Sequence, residues 1–128
     1  MARRLIFLGI GAVLPIALAL ADIDLSDFDT VVMDIMDQTV KDLEPHIGAR
    51  DLAAATDDAQ VLLEGLKETA AYFAGKANAS GAEALAREGQ EHAAAVLRAL
   101  DAGDFDKAAD AARAISRTCR ECHDRYRP

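Results

Sequence analysis

The 128-residue chain predicts an all-α fold, an antiparallel up-down-up-down bundle of four helices, on three observations. From Ser26 onward the apolar residues recur at helical rather than alternating spacing, the three breaks between periodic stretches are short, and no stretch reads as a strand. Helices of about 16 to 24 residues joined by short loops favour antiparallel neighbours, an architecture that builds sites from facing side chains.

Residues 1–21 stand apart from this pattern. Arg3 and Arg4 precede an apolar run from Leu5 to Leu20 that closes in Ala19-Leu20-Ala21, the charged region, apolar region and A-x-A cleavage site of a secretory signal peptide. The run would span about 24 Å as a helix and is interrupted by Pro15, so it is short for a membrane span of roughly 20 residues, an uncleaved anchor being the alternative. Cleavage is expected before Asp22, leaving residues 22–128 as one periplasmic domain with one modest core and no stable membrane association. Loss of Arg3 and Arg4 takes the formal charge from −8 to about −10, which argues against nucleic acid as a partner.

The first helix is expected to start near Ser26, with Asp27 and Asp29 at the positive end of its dipole. Phe28, Val32, Ile35, Met36, Thr39 and Leu43 form its inward stripe, and Pro45 should end it, because the residue before a proline is pushed out of the helical region. Residues 45–50 then form a connection in which His46 reads as exposed. Asp51 or Thr56 can cap a second helix that ends near Gly75 and turns Ala59, Leu62, Leu63, Leu66, Ala70 and Phe73 inward. Ser80-Gly81-Ala82-Glu83 has the form of a capping box opening a third helix, which runs through Leu85, Gly89, His92, Val96 and Leu100 to Gly103.

Asp104 caps the last helix. Its inward series is Phe105, Ala108, Ala109, Ala112, Ile115, Cys119, Cys122, His123 and Tyr126, so 3.6 residues per turn places both cysteines and the histidine on the core-facing side. Cys119, Cys122 and His123 spell C-x-x-C-H, the pattern of c-type haem attachment, in which each thiol adds to one porphyrin vinyl group and the histidine reaches the iron. They are the only cysteines of a chain that carries an export signal, where idle thiols tend to pair; a local Cys119–Cys122 disulfide in a haem-free bundle would also occupy them, but leaves His123 without a role. A zinc site would need a fourth ligand, and His46 and His92 are single and distant in sequence. A redox dithiol would want a helix N-terminus to lower its thiol pKa, whereas this pair lies at a C-terminus. A core lined by Ala53, Ala54, Ala59, Ala86, Ala108 and Ala112 also looks underfilled, and a flat apolar macrocycle would supply bulk, although alanine is favoured in helices for its own sake.

A terminal helix ending C-x-x-C-H-x-x-Tyr-Arg, behind three alanine-rich helices and a signal peptide, resembles the cytochrome c′ family, the class II c-type cytochromes. The resemblance covers essentially all of residues 22–128, its specific part being Cys119, Cys122, His123, Tyr126 and Arg127. It implies one haem c per chain, His123 as proximal iron ligand, and Tyr126 and Arg127 beside the haem. It also implies a functional division by the sixth ligand: a distal methionine gives a six-coordinate electron carrier, an apolar distal residue a five-coordinate iron that binds nitric oxide or carbon monoxide. The family's distal position falls on Met33, with Met36 the second choice and His92 a further competitor. Thioether ligation favours electron transfer. The expected function is therefore single-electron transfer to redox partner proteins, not enzymatic catalysis, in a chain that resembles a family often dimeric through its first two helices. Charge is unevenly placed: residues 22–112 hold seven basic and twenty acidic side chains, residues 113–128 five basic and two acidic, an asymmetry suited to haem propionates or an acidic redox partner.

Overall fold

The computed structural model describes residues 22–127, so the signal peptide expected over residues 1–21 lies outside the described residues. Four helices form the domain: α1 (Thr30–Gly48), α2 (Leu52–Ala74), α3 (Ser80–Asp101) and α4 (Phe105–Tyr126). Each packs on the next and α1 closes on α4, while the diagonal pairs make no close backbone approach and meet only through core side chains, which is the four-helix bundle the periodicity predicts. The seams flanking α3 are the most extensive and the α1–α4 seam the slightest. Among the described residues no helix is long and apolar enough to cross a membrane.

The core is built from Leu43, Leu62, Val96, Leu100 and Ile115, all fully buried, with Ala55, Ala59, Ala93 and Ala108 between them. Each large side chain taken out of water contributes about 1.5–3 kcal/mol, and the alanines let the helices approach. Ala53 is exposed and Ala54 half-buried; the buried alanine of that turn is Ala55, contrary to the sequence expectation. Ile35 is likewise 52% exposed, because the inward face of α1 runs through Met36, Leu43 and Ile47.

Three helix boundaries differ from the sequence reading, each for a local reason. α1 starts at Thr30, with the Asp29 carboxylate accepting from the Val31 amide at 2.9 Å. Ser26 and Asp27 belong to a preceding turn, closed by the Phe28 amide on the Leu25 carbonyl. At the other end α1 continues through Pro45 to Gly48. A proline forfeits its own donor, but its carbonyl still accepts from Ala49 at 2.9 Å, and Ile47, 2% exposed, ties the last turn to the core. Arg50, in the left-handed region at φ 56°, then turns the chain into α2, where Asp51 rather than Thr56 caps by accepting from the Ala54 amide. The expected capping box is absent: Ser80 is the first residue of α3, its cap position is Ala79, and Glu83 turns to Arg87. Asn78, at φ 62°, sets Ala79 into a small cluster with Phe73 and Ala82, and that burial decides where α3 begins. Asp104 caps α4 as expected, accepting from Lys107 at 3.0 Å.

Candidate cofactor site between α1 and α4

The slight α1–α4 seam leaves a cavity of about 580 Å³, within the roughly 300–1,000 Å³ range typical of ligand sites. Met33, Met36 and Val40 line it from α1, Leu66 and Thr69 from α2, Leu85 and Ala86 from α3, and Cys119, Cys122 and His123 from α4. A second cavity of about 360 Å³ adjoins it towards the chain's start, lined by Leu25, Phe28, Phe73 and Tyr126. Met33, Asp37, Cys122 and His123 are common to both.

The two methionines, three residues apart on α1, occupy different surroundings. Met36 is buried and leans on α2, where a Cβ added to Gly65 would stand 2.5 Å from its sulfur, so the glycine leaves room for the Met36 side chain. Met33 is half-buried and is the methionine that shares both cavities with His123. Tyr126 packs its hydroxyl against Gly81 at the start of α3, where an added Cβ would collide with it. Arg127 lines the smaller cavity at the end of α4.

Both cysteines are free thiols and half-buried. Burial pushes the Cys119 thiol up to about 11, with Cys122 and Asp37 adding to the effect. The Cys122 thiol is also raised, chiefly by burial and against the pull of Arg125. Thiols held protonated in this way are unlike the low-pKa pair of a thiol oxidoreductase. Among the described residues no three His, Cys, Asp or Glu side chains converge as a metal centre of the zinc type.

The polar groups on the cavity wall are satisfied elsewhere. Thr69 donates to the Gly65 carbonyl at 2.8 Å, and Thr118, only 4% exposed, donates to Glu88 at 3.2 Å across the α3–α4 seam. Nothing in the sequence marks Thr118, since one threonine beside a motif carries no periodic signal. Charge collects at the mouth instead: Lys41, Asp37 and Glu44 on α1, Arg120 on α4. Lys41, bonded to Asp37 at 2.6 Å, is the main reason that carboxyl lies below the usual carboxylate range, with His123 and Arg127 contributing. An apolar floor, a fringe of mixed charge in which Arg120 is unpaired among the described residues, two thiols and an imidazole on one wall and a thioether on the other fit a flat apolar cofactor.

The remaining histidines are elsewhere. His92, placed on the inward stripe by the sequence, is only half-buried, stands 3.5 Å from Glu88 and lines neither cavity, since Ala93 takes the buried position of that turn. His46 is not in an exposed loop: the last turn of α1 carries it to Asp58 on α2, Nδ1 to Oδ2 2.6 Å, which raises its pKa.

Residues 22–29 precede α1, although the sequence places Ser26 to Asp29 in its first turn, and they close one end of the site. The Asp27 carboxylate accepts from the Tyr72 hydroxyl and from Lys76, both at 2.6 Å, and Phe28 lies edge-on to Tyr72 and stacked on Phe73. This clasp sets Leu25 and Phe28 over the smaller cavity.

No protein-family model, curated protein sequence or solved structure matches the chain.

Proposed function

We propose that the chain is an exported, periplasmic c-type cytochrome similar to cytochrome c′, carrying one haem c and passing single electrons, with His123 and Met33 as the iron ligands. The observation that carries this reading is the convergence of Cys119, Cys122, His123 and Met33 on one cavity of about 580 Å³. The haem would supply one-electron cycling of its iron. Cys119 and Cys122 would hold it by thioether bonds, one helical turn apart. Met33 approaches from α1, so ligation from both walls would brace the slightest seam of the bundle.

Other residues keep the pocket suited to electron transfer and not to catalysis. Met36 fills the space against Gly65, the threonine hydroxyls on the wall are turned into the protein, and Asp37, which shares both cavities with His123, is engaged by Lys41. Tyr126 and Arg127 flank His123 on the smaller cavity, and Arg120 stands on the larger one where a carboxylate of the cofactor would be met by a cation. A homodimer through α1 and α2 is favoured by Val31, Ile35 and Val61, each more than 40% exposed on those helices.

The test is the optical spectrum of protein matured with haem in a bacterial periplasm, oxidised, reduced, and reduced under carbon monoxide. Low-spin reduced bands, a sulfur-to-iron band in the oxidised form and no response to the gas are expected. High-spin spectra that shift under carbon monoxide would instead assign a five-coordinate, gas-binding site, and absence of a Soret band would leave a haem-free bundle.

A further inference from the structure

The cations of this acidic molecule are not alike. Before α4, Lys41, Lys67, Lys76 and Arg87 are each held in an ion pair of 2.6–2.8 Å, Arg50 lies over the Phe105 ring at 5.2 Å, and Arg98 of α3 alone has neither kind of partner among the described residues. On α4, Arg117, Arg120 and Arg127 have no carboxylate within 4.0 Å among the described residues, while Arg113 pairs with Asp110 and Arg125 with Glu121. Successive residues turn by about 100°, so Arg113, Arg117, Arg120 and Arg127 fall within roughly a quarter of the helix circumference. All four are exposed, and the acids on the same strip are Asp124 among them and Asp106 about two turns before Arg113. Across the cavity mouth Asp37 and Glu44 of α1 offset Arg120 and Arg127 in part, which leaves the strip most positive around Arg117.

We infer that this arginine edge of α4 is the docking surface for an acidic protein, the electron-transfer partner of the site, an inference that rests on the reading of that site as a redox centre. Arginine forks match carboxylates in a bidentate geometry that a lysine edge would not offer. Arg120 lines the larger cavity and Arg127 the smaller, so a partner seated here lies against the helix that carries His123, where the path for an electron is short. A local acidic patch on a protein can seat on Arg113, Arg117 and Arg120 between Asp106 and Asp124, where arginines predominate. An extended polyanion such as DNA or an anionic bilayer also meets the acidic faces of α1 to α3, and within a Debye length of about 10 Å those faces repel it.

Two measurements test the inference, the first on the haem-loaded protein and the second on the protein with or without haem. In the first, the reduced protein gives one electron to hexacyanoferrate(III), forming the oxidised protein and hexacyanoferrate(II), over a range of salt concentrations. If the arginine edge governs the approach, the rate falls roughly tenfold with added salt, and Arg113→Glu/Arg117→Glu removes that dependence without altering the spectrum. A rate that rises with salt would mean that the overall negative charge governs approach, and overturns the inference. In the second, amide shifts are followed on adding poly-L-glutamate. Shifts confined to residues 113–127 and lost in the double variant support the surface, even if the spectrum shows no bound haem and the redox reading falls. No shifts, shifts on other helices, or shifts produced by a DNA duplex or phosphatidylglycerol vesicles in place of poly-L-glutamate overturn it.

Discussion

Met33→Ala and Met36→Ala are expected to fail in opposite ways. Met36 is 6% exposed and closes on Gly65, so its truncation removes a buried side chain from the core. Such deletions cost about 2–5 kcal/mol; because Met36 also borders the cavity, the loss enlarges an existing space and belongs near the lower end, about 2–3 kcal/mol. For a domain of this size each kcal/mol lowers Tm by about 4–8 °C, so Met36→Ala should melt roughly 10–20 °C early with its haem spectrum intact. Met33 is only half-buried, and its packing is worth about 1 kcal/mol by the same reckoning. Its loss should instead abolish the low-spin bands and admit carbon monoxide, and Met33→Leu, which keeps the bulk, should do the same with little packing penalty. Circular dichroism melts and spectra under carbon monoxide read both effects. A spectral change in Met36→Ala with Met33→Ala silent would reverse the ligand assignment, and two silent variants would remove methionine from the iron.

Ile115, fully buried one turn before Cys119, should cost about 2–5 kcal/mol as Ile115→Ala, read from the urea midpoint. His46 titrates above its ordinary 6.5 because Asp58 bonds it, with Asp42 and Asp51 adding negative charge; its contribution to stability is therefore complete below pH 6.5 and lost as pH rises through the raised value. The midpoint of wild-type protein should fall over that window relative to His46→Gln, and coincident profiles would contradict the pairing. Cys119→Ser and Cys122→Ser should each leave haem attached through one thioether under denaturing mass spectrometry, and the double variant should release it.

The last helix was the most legible part of the chain. Asp104 caps it where the sequence places a cap, and Cys119, Cys122 and His123 share its inner side because their spacing is a property of a single helix. Boundaries were less so. Proline at 45 is a strong local stop signal, yet burial of Ile47 two residues later outweighs the one backbone bond it removes. Ser80 and Glu83 have the letters of a capping box, but the buried Ala79 takes the cap position. Ile35 falls on the apolar stripe of α1 yet is exposed, because periodicity locates a stripe without saying which of its flanks a neighbouring helix covers.

What the sequence determined by itself is what short-range geometry controls: four helices, their approximate extents, and a cluster of two thiols and an imidazole within two turns of one of them. Only the tertiary structure decided which methionine stands free at the cavity, that residues 22–29 close its far end, and that His46 bridges α1 to α2. Those relations join residues tens of positions apart, such as Met36 with Gly65, Asp27 with Tyr72 and Met33 with His123. Their distances are set by how closely four helices can pack, which a helical period does not encode.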